Sequence, residues 1–432
     1  MTFFAKRNSW IDTENAFKIG AHIDRVEQQK RAVIKLNLGE PDFPVPNHIK
    51  DEIKRQLELD NTHYCDPKGL LSLRTAISNQ VNETRRLQTN PEQVVVFPGA
   101  KTPIGLAQQV YCNPGDEVIY PSPGFPIYES FIRYVNAIPV PLHLEESQNF
   151  MFSPADLAEK ISTKTKLIYI NFPSNPTGGV ASISLLEEIS QIILERCKTD
   201  VRVYSDEIYE NIIFDGQHHH SIASIPEMTG RTIIASGFSK TFAWTGGRIG
   251  YAVFPTIEEA EVFKKLNINY FSCVPPYNQE AARVALESPL SKQFVKKMVE
   301  TFASRRNMII PQINKITGIS CQKPGGAFYL FPNISRICEN LGLIEKHNRL
   351  PAEKKSSPAN IFQMFALYEH QIAVLDRESF GKIGTDGKHF LRLSIAAKES
   401  LLEEGILRLK NACDDLDGVD RFLKERPDLS SA

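Results

Sequence analysis

Within residues 236–250, Lys240 follows a turn of small residues, and Arg248 stands two helical turns further on. A primary amine condenses with an aldehyde to a Schiff base, and a guanidinium holds a phosphate. Pyridoxal phosphate carries both groups on one ring, so it is the expected cofactor if other residues serve that ring. A surface turn with two solvated charges is the competing reading.

Several further residues have the required chemistry. Asn175 sits in the loop Asn171-Phe172-Pro173-Ser174-Asn175-Pro176-Thr177-Gly178, where prolines hold it fixed and its amide could donate to a ring oxygen. Asp206 ends an apolar run and, buried against a pyridine nitrogen, would keep that nitrogen protonated; a helix-capping role is the alternative. Tyr209, three residues on, offers a hydroxyl to the ring oxygen or fills the core. Phe125 offers a flat face to a heterocycle, or is likewise a core filler. Gly99, Ala100 and Lys101 follow a strand and open a helix, where free N–H groups attract phosphate; a plain helix start explains them too. Arg392 lies inside an apolar strand and needs an anion, either a substrate carboxylate or a protein acid. His389 and His218–His220 lack metal-ligand spacing and read as surface histidines, so no metal is expected.

These residues need a frame that gathers them. Short apolar runs at 94–97, 117–120, 137–141, 167–170, 201–204, 232–235 and 250–253 alternate with amphipathic stretches such as 100–111, 181–198 and 256–268. That rhythm indicates an α/β domain with a mainly parallel, seven-stranded sheet flanked by helices, whose ligands bind at the carboxyl ends of strands. The run at 137–141 contains prolines and is the weakest strand. A long helical region around 278–312 leads to a smaller α+β domain with strands near 323–331, 372–375 and 390–394 and a helix at 398–410. Residues 343–358 are charged and read as a surface insertion. The expected division is an N-terminal segment 1–44 packing with the small domain, a large cofactor-binding domain 45–300 and a small domain 301–432.

The 50 basic and 51 acidic residues nearly balance, leaving no footprint for nucleic acid or an anionic membrane. No apolar stretch is long enough to span a bilayer, no secretory signal is evident, and the seven scattered cysteines fit a reducing, cytoplasmic setting.

The ordered set of motifs resembles the fold-type-I aminotransferases, specifically the aspartate-aminotransferase-like class I/II group, over residues 12–410. The resemblance rests on Asn37-Leu38-Gly39-Glu40-Pro41-Asp42, Tyr64 before Gly69, Asn175-Pro176-Thr177-Gly178, Asp206 with Tyr209, Ser239-Lys240 with Arg248, Pro324-Gly325-Gly326 and Arg392. It implies Lys240 as the Schiff-base lysine, Asp206 as partner of the pyridine nitrogen, and Asn175 and Tyr209 at the ring oxygen. It also implies Phe125 stacked on the ring and a phosphate cup of Ala100, Lys101, Ser239 and Arg248, with Tyr64 entering from a second subunit. Arg392 would fix the substrate α-carboxylate, helped by Gly39 and Asn175. A homodimer with shared sites follows from the resemblance. Lys101 would meet the distal carboxylate of a dicarboxylic donor, or give only its backbone to the cup. Two departures stand out: Gly237 replaces a serine found in some branches, and Asp376-Arg377 replaces a Pro-Gly pair near the substrate.

The reaction implied is ping-pong transfer of an amino group from an L-amino acid to a 2-oxo acid. A C–S β-lyase would use the same residues, and an aminotransferase-like ligand-sensing regulator is the alternative from another functional class.

Overall fold

The computed structural model describes residues 3–12, 14–350 and 356–426. Twelve strands occur among them. The first is β1 (Ile34–Lys35), followed by β2 (Val94–Phe97), β3 (Glu117–Ser122), β4 (Ile138–His143), β5 (Thr165–Asn171), β6 (Arg202–Asp206), β7 (Thr232–Gly237) and β8 (Gly250–Val253). The last four are β9 (Tyr329–Leu330), β10 (Ile372–Ala373), β11 (Leu375–Asp376) and β12 (Leu391–Ser394).

A seven-stranded sheet in the order β2-β8-β7-β6-β5-β3-β4 forms the large domain, as the alternation of apolar runs and helices predicts. Strands β3 to β7 run parallel, and β8 is antiparallel to both neighbours, β2 and β7. The strands are apolar on both faces because both are covered. In β5, Leu167 and Tyr169 enter one core cluster with Val95, Phe97 and Tyr204, while Ile168 and Ile170 enter another with Val203 and Leu186. The prolines of β4 are tolerated because that strand is the sheet's edge, where missing N–H groups break no ladder.

In the small domain, β11, β12 and β9 pair antiparallel, and β1 pairs parallel with β10. The run 372–375, expected as one strand, therefore serves two sheets, changing partner at Val374. The helix Asn15–Glu27 packs against Pro358–His370, with His22 bonded to the Tyr368 hydroxyl at 2.9 Å.

Three expectations need correction. The helical region around 278–312 is two helices, Pro276–Glu287 and Pro289–Ile313. Pro289 forces Ser288 into an extended conformation (ψ 130°), and the Ser288 hydroxyl then caps the second helix. The stretch 343–358 is no simple surface insertion: Leu343–Asn348 is helical with Leu343 fully buried, and Ser357 and Pro358 are buried at the next helix start; residues 351–355 lie outside the described residues. The histidines are not all superficial either. His389 is buried, which lowers its pKa, and His219 bonds Glu207 at 3.0 Å. Among the described residues no three potential ligands cluster to hold a metal, and no helix is long and apolar enough to cross a membrane.

A buried ionic knot supports the carboxyl end of β6. Glu207 accepts from Arg85, His219, Ser205 and Ser221, and Arg85 also pairs with Glu210. Burial opposes ionisation of Glu207, yet Arg85 and His219 together hold its carboxyl well below the usual range. Arg85→Met would leave Glu210 without its arginine and Glu207 with His219 alone, and is expected to lower stability by about 3–5 kcal/mol in urea unfolding.

Candidate active site

The loops that follow β2, β3, β5, β6 and β7 all leave the sheet at one edge, and β8, running the other way, begins there. A cavity of about 600 Å³ opens at that edge, a size suited to a small ligand. Its lining contains Gly39, Ala100, Lys101, Phe125, Asn175, Asp206, Tyr209, Ser239, Lys240, Arg248 and Arg392. Eleven of the twelve residues singled out in the sequence thus converge. Tyr64 does not: it is 87 % exposed on this chain and lines no part of the cavity.

Lys240 is held in the short helix Phe238–Thr241 that caps β7, and its Nζ donates to the Gly39 carbonyl at 2.5 Å. Burial first, and the charge of Arg392 second, depress its pKa to about 8. The helical spacing expected between Lys240 and Arg248 does not occur. The helix stops at Thr241, and Arg248 adopts a left-handed backbone (φ 50°) just before β8. The antiparallel sense of β8 brings the arginine back to the cavity. There its guanidinium donates to the carbonyls of Thr245 (2.8 Å) and Pro98 (3.4 Å), at the start of the helix Thr102–Tyr111.

Asp206 ends β6 and is buried. Tyr128 donates to its carboxylate at 2.6 Å, while burial pushes its pKa up to about 6. Asn171, at the end of the neighbouring strand, donates to the Asp206 carbonyl and accepts from the Asn175 backbone, tying the two loops together. Tyr209 is buried with its hydroxyl 2.7 Å from that of Tyr329.

Arg392 projects from β12, buried between the rings of Tyr329 and Phe380 at 4.5 and 4.8 Å from their centroids. It donates to the Asn175 side-chain oxygen at 3.0 Å and to the Asn37 carbonyl at 2.6 Å, and its Nε has no partner. No protein carboxylate pairs with it among the described residues, so the buried ion pair allowed by the sequence is absent. Asp376 and Arg377, by contrast, are turned away from the cavity: Arg377 donates to Ser122 and the Gly381 carbonyl, and Asp376 accepts from Ser379.

Tyr128, Tyr329, Ile208, Phe380 and Glu14 were not foreseen as parts of the site. Tyr128 stands one helical turn after Phe125, a spacing that could have signalled it. The Glu14 carboxylate pairs with Lys101, 87 positions away, and no local pattern marks it.

Residues 31–409 match the family model described as aminotransferase class I and II. A probable aspartate/prephenate aminotransferase of Aquifex aeolicus is 34% identical, over 95% of this chain and 99% of that protein. The aromatic-amino-acid aminotransferase 2 of Thermococcus litoralis is 32% identical over 88% and 91%. The solved aspartate aminotransferase of Rhizobium meliloti superposes with a TM-score of 0.85 at 29% identity, covering 96% and 99% of the two chains.

The chain belongs to the class I and II aminotransferases. It has the fold-type-I architecture, and membership implies pyridoxal phosphate as the aminotransferase's cofactor. The cavity suits that group. A Cβ on Gly99 would lie 2.2 Å from Arg248 Nη2, and one on Gly250 would lie 2.2 Å from the Ala100 nitrogen, so only glycines let the arginine and the helix start meet. The Gly99 φ of 84° is also one that L side chains rarely adopt. A cationic group for a phosphate, a buried acid for a ring nitrogen and an amine of lowered pKa for an aldehyde thus lie in one space.

Two outcomes follow. In the cofactor-free aminotransferase, reductive methylation of Lys240, followed by peptide mass spectrometry, is expected to rise with pH around a midpoint near 8; an exposed lysine would titrate near 10.4. The raised pKa of Asp206 means its ionised form is disfavoured by folding. The stability cost is absent below the unfolded value of about 3.9, grows as pH rises, and is complete above about 6. Asp206→Asn is therefore expected to stabilise the cofactor-free protein by about 3 kcal/mol at pH 7.5, with the gain vanishing near pH 3.5 in denaturant titrations.

Proposed function

We propose that this aminotransferase moves the amino group of an L-amino acid to a 2-oxo acid by a ping-pong reaction in which one carrier serves both halves. The observation that carries the substrate assignment is Arg392: a buried guanidinium whose protein acceptors are all neutral and whose Nε is unpaired. A carboxylate common to amino acids and 2-oxo acids would supply the missing charge in a two-pronged bond.

The proposed roles follow from placement. Arg248, Ser239 and the amides of Ala100 and Lys101 would hold the phosphate, and Asp206 the ring nitrogen. Asn175 and Tyr209 would bond the ring oxygen, and Phe125 would cover the ring. When bound, pyridoxal phosphate supplies an electron-accepting ring and a temporary home for the amino group. Lys240, neutral in a useful fraction at physiological pH because of its depressed pKa, takes the proton from the substrate Cα and later returns it. Arg392, anchored through Asn175 and Asn37, orients that carbon toward the lysine. Tyr128 holds Asp206 in place from the side away from solvent.

The exposure of Tyr64 supports a homodimer in which each copy lends this tyrosine to the other's phosphate cup. We place the segments 1–44 and 301–432 together as the moving part that closes on substrate, and a cytoplasmic location accompanies this reading. The donor's side chain would face Lys101, the residue that pointed to a dicarboxylate such as aspartate. Relatives with names for aspartate, prephenate and aromatic amino acids leave several side-chain classes in view.

The test is a half-reaction. Holoenzyme given an amino acid without acceptor is expected to release one 2-oxo acid per site and stop, with parallel double-reciprocal lines once an acceptor is added. Lys240→Ala should lower kcat by at least about a hundredfold. Continuous release of ammonia and pyruvate from cystathionine without acceptor would instead identify a C–S lyase.

A further inference from the structure

Four cationic side chains line the cavity: Lys101, Lys240, Arg248 and Arg392. Only Lys101 has a carboxylate partner among the described residues. Its Nζ pairs with Glu14 Oε1, and the Glu14 side chain is just 14% exposed. Glu14 stands at the N-cap of the helix Asn15–Glu27 and makes no side-chain capping bond. The acid is committed to the lysine across the cavity instead. Phe17 and Phe125 flank the same ammonium at 5.7 and 5.6 Å from their centroids.

From this arrangement we propose that Glu14 is a specificity-determining residue that neutralises Lys101 and reserves the side-chain end of the site for uncharged, largely apolar amino acids. The inference rests on the aminotransferase reading, with the α-carboxylate on Arg392, and concerns what lies beyond it. A distal carboxylate reaching Lys101 would meet a carboxylate already there, and two acids would share one ammonium in a partly dry pocket. An uncharged side chain disturbs nothing: the ion pair stays closed, and Phe17, Phe125, Leu38 and Phe380 offer apolar surface. Lys101 alone reads as a receptor for a dicarboxylate, whereas with Glu14 it becomes half of a neutral pair.

The experiment compares holoenzyme of wild type, Glu14→Gln and the double variant Glu14→Gln/Lys101→Met. Isothermal titration with the unreactive ligands succinate and 3-phenylpropionate is set beside kcat/KM for aspartate and phenylalanine. Wild type is expected to favour phenylalanine and to bind succinate weakly. Glu14→Gln should tighten succinate by at least about tenfold and shift the kcat/KM ratio toward aspartate by a similar factor. The double variant should lose both gains. A wild type that favours aspartate, or a Glu14→Gln variant whose succinate affinity is unchanged or weaker, overturns the proposal. Absence of amino transfer from every donor would defeat the aminotransferase reading instead, and the succinate titration would still decide the role of Glu14.

Discussion

A buried guanidinium with no carboxylate partner among the described residues is the constraint around which the small domain is arranged. Desolvating a charge is costly, and the usual remedy is a nearby acid. Arg392 has neutral oxygens and two aromatic faces, which stabilise the cation only in part; burial accordingly lowers its pKa. Holding it there requires the β12 register that sets Arg392 opposite Leu375, and it requires the N-terminal segment to deliver the Asn37 carbonyl. It also requires the Asn175 loop of the large domain to supply the amide oxygen. One side chain thus ties three distant stretches of sequence to the same point.

The large domain solves a matching problem at the opposite wall. Parallel strands put successive loops at one edge, and the single antiparallel strand β8 contributes its beginning to that edge rather than its end. Without that reversal Arg248 would emerge at the far side of the sheet from Lys240. Behind this edge lie two layers of support: Tyr128 bonded to Asp206, and the Arg85–Glu207–Glu210 knot one residue further along. Adjacent acids therefore have opposite fates. Glu207 is kept ionised by its cations, while burial raises the pKa of Asp206, which its hydrogen-bond donors and the charge of Lys240 offset only in part.

What the sequence made legible is what is local. The Asn175 loop, the end of β6 and the Lys240 turn each carry their chemistry within a few residues of a strand end, so strand order did not need to be known. The sheet was readable because strands buried on both faces are continuously apolar. Long-range facts were not readable: Glu14 reaches Lys101 across 87 positions, and Tyr329 meets Tyr209 across 120. The departures at 288–289 and Val374 have local causes that periodicity does not weigh, a proline's restriction of its neighbour and a change of strand partner. Leu343 was hidden in the insertion because one buried apolar residue among charges leaves no periodic signal. The expectation of a helix joining Lys240 to Arg248 failed for a comparable reason, since the glycines at 246 and 247 already argue for a loop.

The cavity's charges are coupled as well as gathered. Arg392 is among the causes that depress Lys240, whereas Glu40 and Glu14 act in the opposite direction. A carboxylate bound to Arg392 would cancel part of the depressing field and so increase the lysine's affinity for a proton. Linkage makes the effect reciprocal: a protonated Lys240 would strengthen carboxylate binding, and a neutral one would weaken it. In the proposed reaction the same guanidinium would both orient the substrate and adjust the amine that acts on it. Replacing Arg392 by an uncharged residue would alter both properties together, so a loss of activity alone could not separate them. The titration of Lys240 in the absence of substrate could, because orientation has no part in it.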